Sequence, residues 1–131
     1  MKIKYYSNVI LLGLSVCSQA APIESLKEKE QLLICQKERD TGRFQEAVDC
    51  YLPLAEKENN IIAQTFLAHI YEHQKELNKQ DQAIYWYEKA AHQGDKYAQN
   101  NLGRIYLQGE ITPIDNKKAI YWLEKAEAQG V

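Results

Sequence analysis

The sequence predicts an all-α fold of about three helical hairpins stacked in a row. Three observations carry this: a string that recurs after 36 residues, apolar positions at helical spacing within it, and a glycine closing each copy. Ala83-Ile84-Tyr85-Trp86-Tyr87-Glu88-Lys89-Ala90-Ala91-His92-Gln93-Gly94 returns as Ala119-Ile120-Tyr121-Trp122-Leu123-Glu124-Lys125-Ala126-Glu127-Ala128-Gln129-Gly130. The run from Ala63 to Tyr71 likewise returns 35 residues on, from Ala98 to Tyr106, so the extra residue falls in a connecting loop.

Taken in chain order, the first 20 residues read as an address. Lys2 and Lys4 precede an apolar stretch from Val9 to Val16, and small side chains at Ser18 and Ala20 fit a signal-peptidase pocket, with cleavage expected after Ala20. Leu14-Ser15-Val16-Cys17 is close to a lipobox, but Val16 stands where Gly, Ala or Ser is wanted. Export to the periplasm or the medium is therefore expected ahead of lipidation at Cys17. Lys2 and Lys4 leave with the leader, so 14 of the 16 basic residues remain against 18 acidic ones.

Residues 21–58 read as a degenerate helix pair. Glu24 to Asp40 is compatible with a helix but weakly patterned, with Leu26 and Leu33 among Gln and Glu. Ala47, Tyr51 and Ala55 then fall 36 residues before Ala83, Tyr87 and Ala91, which marks the second helix. Pro53 lies inside it and is expected to kink or shorten it. Cys35 and Cys50 are equidistant from the Gly42-Arg43 turn, so an antiparallel pair brings them to the same height and a disulfide is expected. The alternative is two buried thiols, because Cys50 takes the place of Trp86 and Trp122.

Residues 59–95 and 96–131 each read as two helices. Ala83, Trp86, Tyr87 and Ala90 follow i, i+3, i+4, i+7, one apolar stripe, with Glu88 and Lys89 turned outward. Gly94 and Gly130 end the second helices, and Asn78 and Asp115 are the expected N-caps. Small residues at Ala68, Gly103, Ala83 and Ala119 alternate with Tyr71, Tyr106, Trp86 and Trp122, as helices that pack closely require.

These residues resemble the Sel1-like repeat, a relative of the tetratricopeptide repeat. The resemblance rests on Ala98, Leu102, Gly103, Tyr106, Gly109, Asp115, Ala119, Trp122, the Glu124-Lys125-Ala126 triplet and Gly130. The copy at 63–94 departs only in its loop, where Gln74 and Lys79 replace Gly109 and Asp115. The resemblance implies a right-handed αα-hairpin solenoid whose first helices line a concave face. It assigns groove positions to Thr65, His69, Glu72 and His73 in one unit and to Asn100, Arg104, Leu107 and Gln108 in the next, with Arg104 able to clamp a carboxylate.

Composition narrows the function classes. With 45% hydrophobic and 26% charged residues and a net charge of −2, the chain is neither disordered nor the basic surface that nucleic acid demands. No apolar run approaches the roughly 20 residues of a membrane span. His69-Ile70-Tyr71-Glu72-His73 spells the inverted zinc-protease string, but its positions become Arg104 and Gln108 in the next copy, so it reads as a polar repeat face. No catalytic residue, metal or cofactor is assigned.

The expected function is non-catalytic binding of a protein or peptide on the groove. The alternative is a secreted cysteine-containing repeat protein with β-lactamase-like hydrolase or peptidoglycan-associated activity, a class to which some cysteine-rich relatives are linked. Either a partner or self-association is expected at an uncapped C-terminal end around Ile105, Tyr121 and Leu123.

Overall fold

A computed structural model describes residues 14–130, with side chains from Leu26 onward. The expected leader at residues 1–20 and Cys17 lie outside the residues whose side chains are described. Six α-helices and no strand are present among the described residues: α1 (Leu14–Asp40), α2 (Phe44–Glu56), α3 (Ile61–His73), α4 (Gln80–His92), α5 (Lys96–Gln108) and α6 (Asn116–Ala128). The chain is all-helical, and its contacts divide it into residues 1–34, which hold the beginning of α1, and residues 35–131, which hold the hairpins.

Helices α2 to α6 each have 13 residues, so Pro53 does not shorten α2. Proline lacks only its own N–H, and position 53 lies in the last turns of the helix, where one missing bond is tolerated. Within residues 35–131, α3 packs on α4 and α5 on α6, and the contacts of α2 with α3 and of α4 with α5 join successive hairpins. Each helix buries its stripe: Ala47, Val48, Tyr51, Leu54 and Ala55 from α2, and Ala83, Trp86, Tyr87, Ala90 and Ala91 from α4. By contrast, Leu26 and Leu33 of α1 remain 57% and 65% exposed.

The helix ends follow side-chain chemistry. Asp115 caps α6 by accepting from Lys118 N at 3.0 Å. Asn60 and Asp95 do the same for α3 and α5, accepting from Ala63 N and Ala98 N at 2.8 Å. Asn78 is not a cap for α4. It closes the short 3₁₀ turn Lys75–Leu77 in the left-handed conformation at φ 52°, and Lys79 precedes α4 without a side-chain cap. Gly94, at φ 98°, ends α4 with paired bonds from Gly94 N to Ala91 O and from Asp95 N to Ala90 O, a reversal that favours glycine.

Two buried glutamines tie the hairpins together at the repeat period. Gln64 Nε2 donates to Ala55 O and Gln99 Nε2 to Ala91 O, both at 3.1 Å. Each amide oxygen in turn accepts from the glutamine that ends the following helix, Gln93 to Gln64 and Gln129 to Gln99, both at 2.8 Å. A helix interior cannot leave such amides unpaired without cost, so these bonds hold each hairpin in one register on the last.

Of the residues expected at an apolar C-terminal end, Ile105 lies instead in the core at 2% exposure, Leu123 is half-buried, and Tyr121 is 48% exposed beside Ile120 at 54%. Where α4 offers the buried Ala91 to α5, α6 carries the exposed Glu127 at the equivalent position. A charged side chain there replaces the apolar contact.

Candidate functional site

Cys35 and Cys50 are joined by a disulfide, with Cα atoms 5.3 Å apart. Arg39 lies one helical turn beyond Cys35, on the same side of α1. Its guanidinium carbon stands 4.1 Å from the centre of the Phe66 ring, and Nε and Nη2 also donate to Asp40 Oδ1. Phe66 in turn packs against Tyr51, with ring centres 5.7 Å apart.

This stack is one side of a groove of about 560 Å³ lined by Arg39, Ile62, Thr65, Phe66, His69, Asp95, Tyr97 and Asn101. All three first helices, α1, α3 and α5, contribute, with Asp95 at the start of α5. Ile62 and Tyr97 are 52% and 62% exposed, large apolar side chains open to a partner. Asp95 Oδ2 accepts from Thr65 Oγ1 at 3.0 Å as well as from Ala98 N, which joins the second hairpin to the third beside the groove.

Thr65 and His69 therefore lie in the groove, whereas Glu72, His73, Arg104 and Gln108 line a separate, smaller depression of about 290 Å³ with Lys75, Gln80, Ile105, Glu110 and Ile111. Asn100 and Leu107 line neither. Arg39, Ile62, Phe66, Asp95, Tyr97 and Asn101 are the groove residues that sequence reasoning missed. Their signal was present: Ile62 and Phe66 return after 35 residues as Tyr97 and Asn101, a stripe rotated slightly around the helix from the one chosen.

The smaller depression is built around Glu72, which is buried at 7% exposure rather than turned to solvent. Tyr87 OH donates to Glu72 Oε2 at 2.8 Å, and Arg104 pairs with Glu72 Oε1. Arg104 Nη1 donates to Gln108 Oε1 at 2.7 Å. Arg104 is thus a clamp on the protein's own carboxylate, holding α5 to α3. Burial, reinforced by the charge of Glu72, holds the Tyr87 hydroxyl well above its ordinary pKa.

The two histidines of the zinc-protease string stack, with ring centres 4.2 Å apart, and His73 Nδ1 donates to His69 O at 3.0 Å. Burial, then the neighbouring His73, pulls the His69 pKa down. With both carboxylate oxygens of Glu72 bonded inward, that group is not placed to take a proton from a water held between the histidines. Among the described residues, no three or more His, Cys, Asp or Glu side chains are arranged to hold a metal.

Residues 61–95 and 96–131 each match the family described as Sel1 repeat, together more than half of the chain. The chain belongs to the Sel1 repeat family. Its fold is similar to that of a Sel1 repeat protein from Oxalobacter formigenes known from a crystal structure, with 30% sequence identity, a TM-score of 0.58 and 64% of each chain covered. This Sel1 chain thus spans just under two thirds of that relative's length. No curated protein matches it. The Sel1 repeats make the chain a helical scaffold of a type that usually mediates protein interactions, and among the described residues no helix is long and apolar enough to cross a membrane.

Proposed function

We propose that this Sel1 repeat protein is an exported, non-catalytic scaffold that binds a protein or peptide segment in the groove between α1, α3 and α5. The observation that carries the reading is the groove itself. It sets the exposed apolar side chains Ile62 and Tyr97, with Phe66 beneath Arg39, beside a cation, Arg39, and a carboxylate, Asp95. That combination suits a peptide with an apolar anchor side chain, since apolar burial supplies affinity and the flanking charges set orientation. Support for export comes from the leader pattern at residues 1–20 and from a joined cysteine pair, of a kind that persists in oxidising compartments.

A photo-crosslinking side chain at Tyr97, used in the native compartment, tests the reading. Capture of a discrete protein that is lost when Ile62→Asp is added supports the groove. Capture that persists in Ile62→Asp, or that occurs equally from the exposed Lys117 on the far helix, overturns it. Turnover of a chromogenic β-lactam or of peptidoglycan by the purified protein would replace the scaffold reading with the hydrolase alternative.

A further inference from the structure

The first hairpin is fastened differently from the other two. Of the α1 side chains from Leu26 to Asp40, only Cys35 is buried, whereas α3 alone buries seven of its 13 residues. Residues 35–40 therefore have almost no apolar surface with which to hold themselves against α2. The Arg43 to Glu38 ion pair, at 2.6 Å, sits at the surface, where such pairs contribute little. Besides the stacking of Arg39 on Phe66, what ties this turn of helix to its neighbours is the covalent bond from Cys35 to Cys50. The same turn carries Arg39, which lies over Phe66 and forms the α1 wall of the groove.

We propose that the Cys35–Cys50 disulfide is a redox latch on the groove. Closed, it holds Arg39 over Phe66 and gives the groove three walls; open, it frees residues 36–43 and leaves Phe66 as part of an uncovered apolar surface on α3 and α5. This regulation rests on the groove being the binding site. The opening reagent is a dithiol, either a small molecule or a protein with a paired-cysteine centre. Its thiolate attacks Cys50 Sγ, the half-buried partner, and the protein disulfide breaks; Cys35, wholly buried, leaves as a thiolate and takes up a proton. The second thiol of the reagent then resolves the mixed disulfide. Two electrons have passed to the protein, which holds two thiols, and the reagent has become a disulfide. A disulfide of the same class, acting in reverse, closes the latch.

The rest of the stack does not depend on the latch. Helices α3 to α6 each bury their own stripe and are held by the Gln64, Gln99 and Glu72 bonds, none of which involves α1.

The experiment is amide hydrogen exchange on the whole protein, oxidised and then reduced with dithiothreitol, and on the Cys35→Ser/Cys50→Ser variant. Amides of 36–43 should exchange on the order of 100-fold faster once the bond is open, with α3 to α6 unchanged. A neutral apolar dye, Nile red, should bind more strongly to the opened protein. It should also do so to oxidised Arg39→Ala, whose 36–43 amides stay protected, because there the cover is removed and the latch is not. Unchanged exchange at 36–43 overturns the latch. Loss of protection throughout α3 to α6 overturns it too, making the bond a staple for the whole fold, and dye binding that stays level on opening overturns Arg39 as the cover. No readout uses a partner, so failure of the photo-crosslinking test would leave this one standing, and the reverse.

Discussion

The Tyr87 hydroxyl donates to Glu72 Oε2 at 2.8 Å, in a pocket where both groups are buried. Tyr51 stands 36 residues earlier at the same place in the preceding hairpin, and its equally buried hydroxyl meets no hydrogen-bonding partner among the described residues. Tyr87→Phe should therefore destabilise by about 1.5–3 kcal/mol, the range for a bond to a charged group, whereas Tyr51→Phe should be neutral or stabilise by up to about 1 kcal/mol. Urea unfolding of the two variants checks this, and equal losses would show that Tyr51 has a partner.

Gln64 and Gln93 act as a pair. Replacing Gln64 by Met leaves Ala55 O without its buried donor and takes from Gln93 Nε2 the shortest of its three bonds, leaving it Asn59 Oδ1 and Lys89 O, so a loss of about 1–3 kcal/mol is expected. In a double-mutant cycle with Gln93→Ala the two losses should not add, differing from their sum by about 0.5 kcal/mol or more. Strict additivity would mean that the bond contributes nothing to the stacking.

Gly103 is required by a close approach. A Cβ built there lies 2.4 Å from Leu123 Cγ and 3.2 Å from Ala119 O, so α5 and α6 could not keep their spacing. Gly103→Ala should lower stability by about 1–3 kcal/mol despite the better helix propensity of alanine. Leu123→Ala in the same chain should recover part of the loss, and a thermal melt of the single and double variants reads this directly.

Alkaline pH should reach the interface between α4 and α5. Burial, and then the bond to Glu88 at 3.0 Å, raise the Tyr106 pKa from 10.0 to about 12. Because the folded value is the higher one, the stabilisation is fully present below pH 10 and is lost as pH rises through about 12. Ultraviolet titration should show Tyr106 ionising late, and Glu88→Gln should bring it earlier. An unchanged titration in that variant would remove Glu88 as a cause.

The repeat was legible because its physics is local. Apolar spacing of i, i+3, i+4, i+7, glycine after the stripe and a side-chain cap before it act within a few residues, so the periods of 35 and 36 could be read before any contact was known. Asp115 was found as a cap by this reasoning, and Asn78 was misjudged by it, because a loop that differs from Gly109 to Asp115 folds into a 3₁₀ turn that claims Asn78 for itself. Glu72 was misplaced for another reason. Its burial depends on Tyr87, 15 residues on, and Arg104, 32 residues on, and no helical period reports on either.

By itself, then, the sequence determined an all-helical chain of repeated hairpins, its Sel1 character and where most helices stop. Thr65 and His69 were placed on the groove from sequence, but which stripe beside them lines it was decided by the tertiary structure. The stripe through Ile62, Phe66 and Tyr97 becomes a groove only because Arg39 from another helix lies across it and Asp95 joins two hairpins beside it. The physical reason is range: helix formation is settled by neighbours along the chain, whereas a concave surface exists only where separate helices are held at fixed distance. In the first hairpin, a single covalent bond sets that distance.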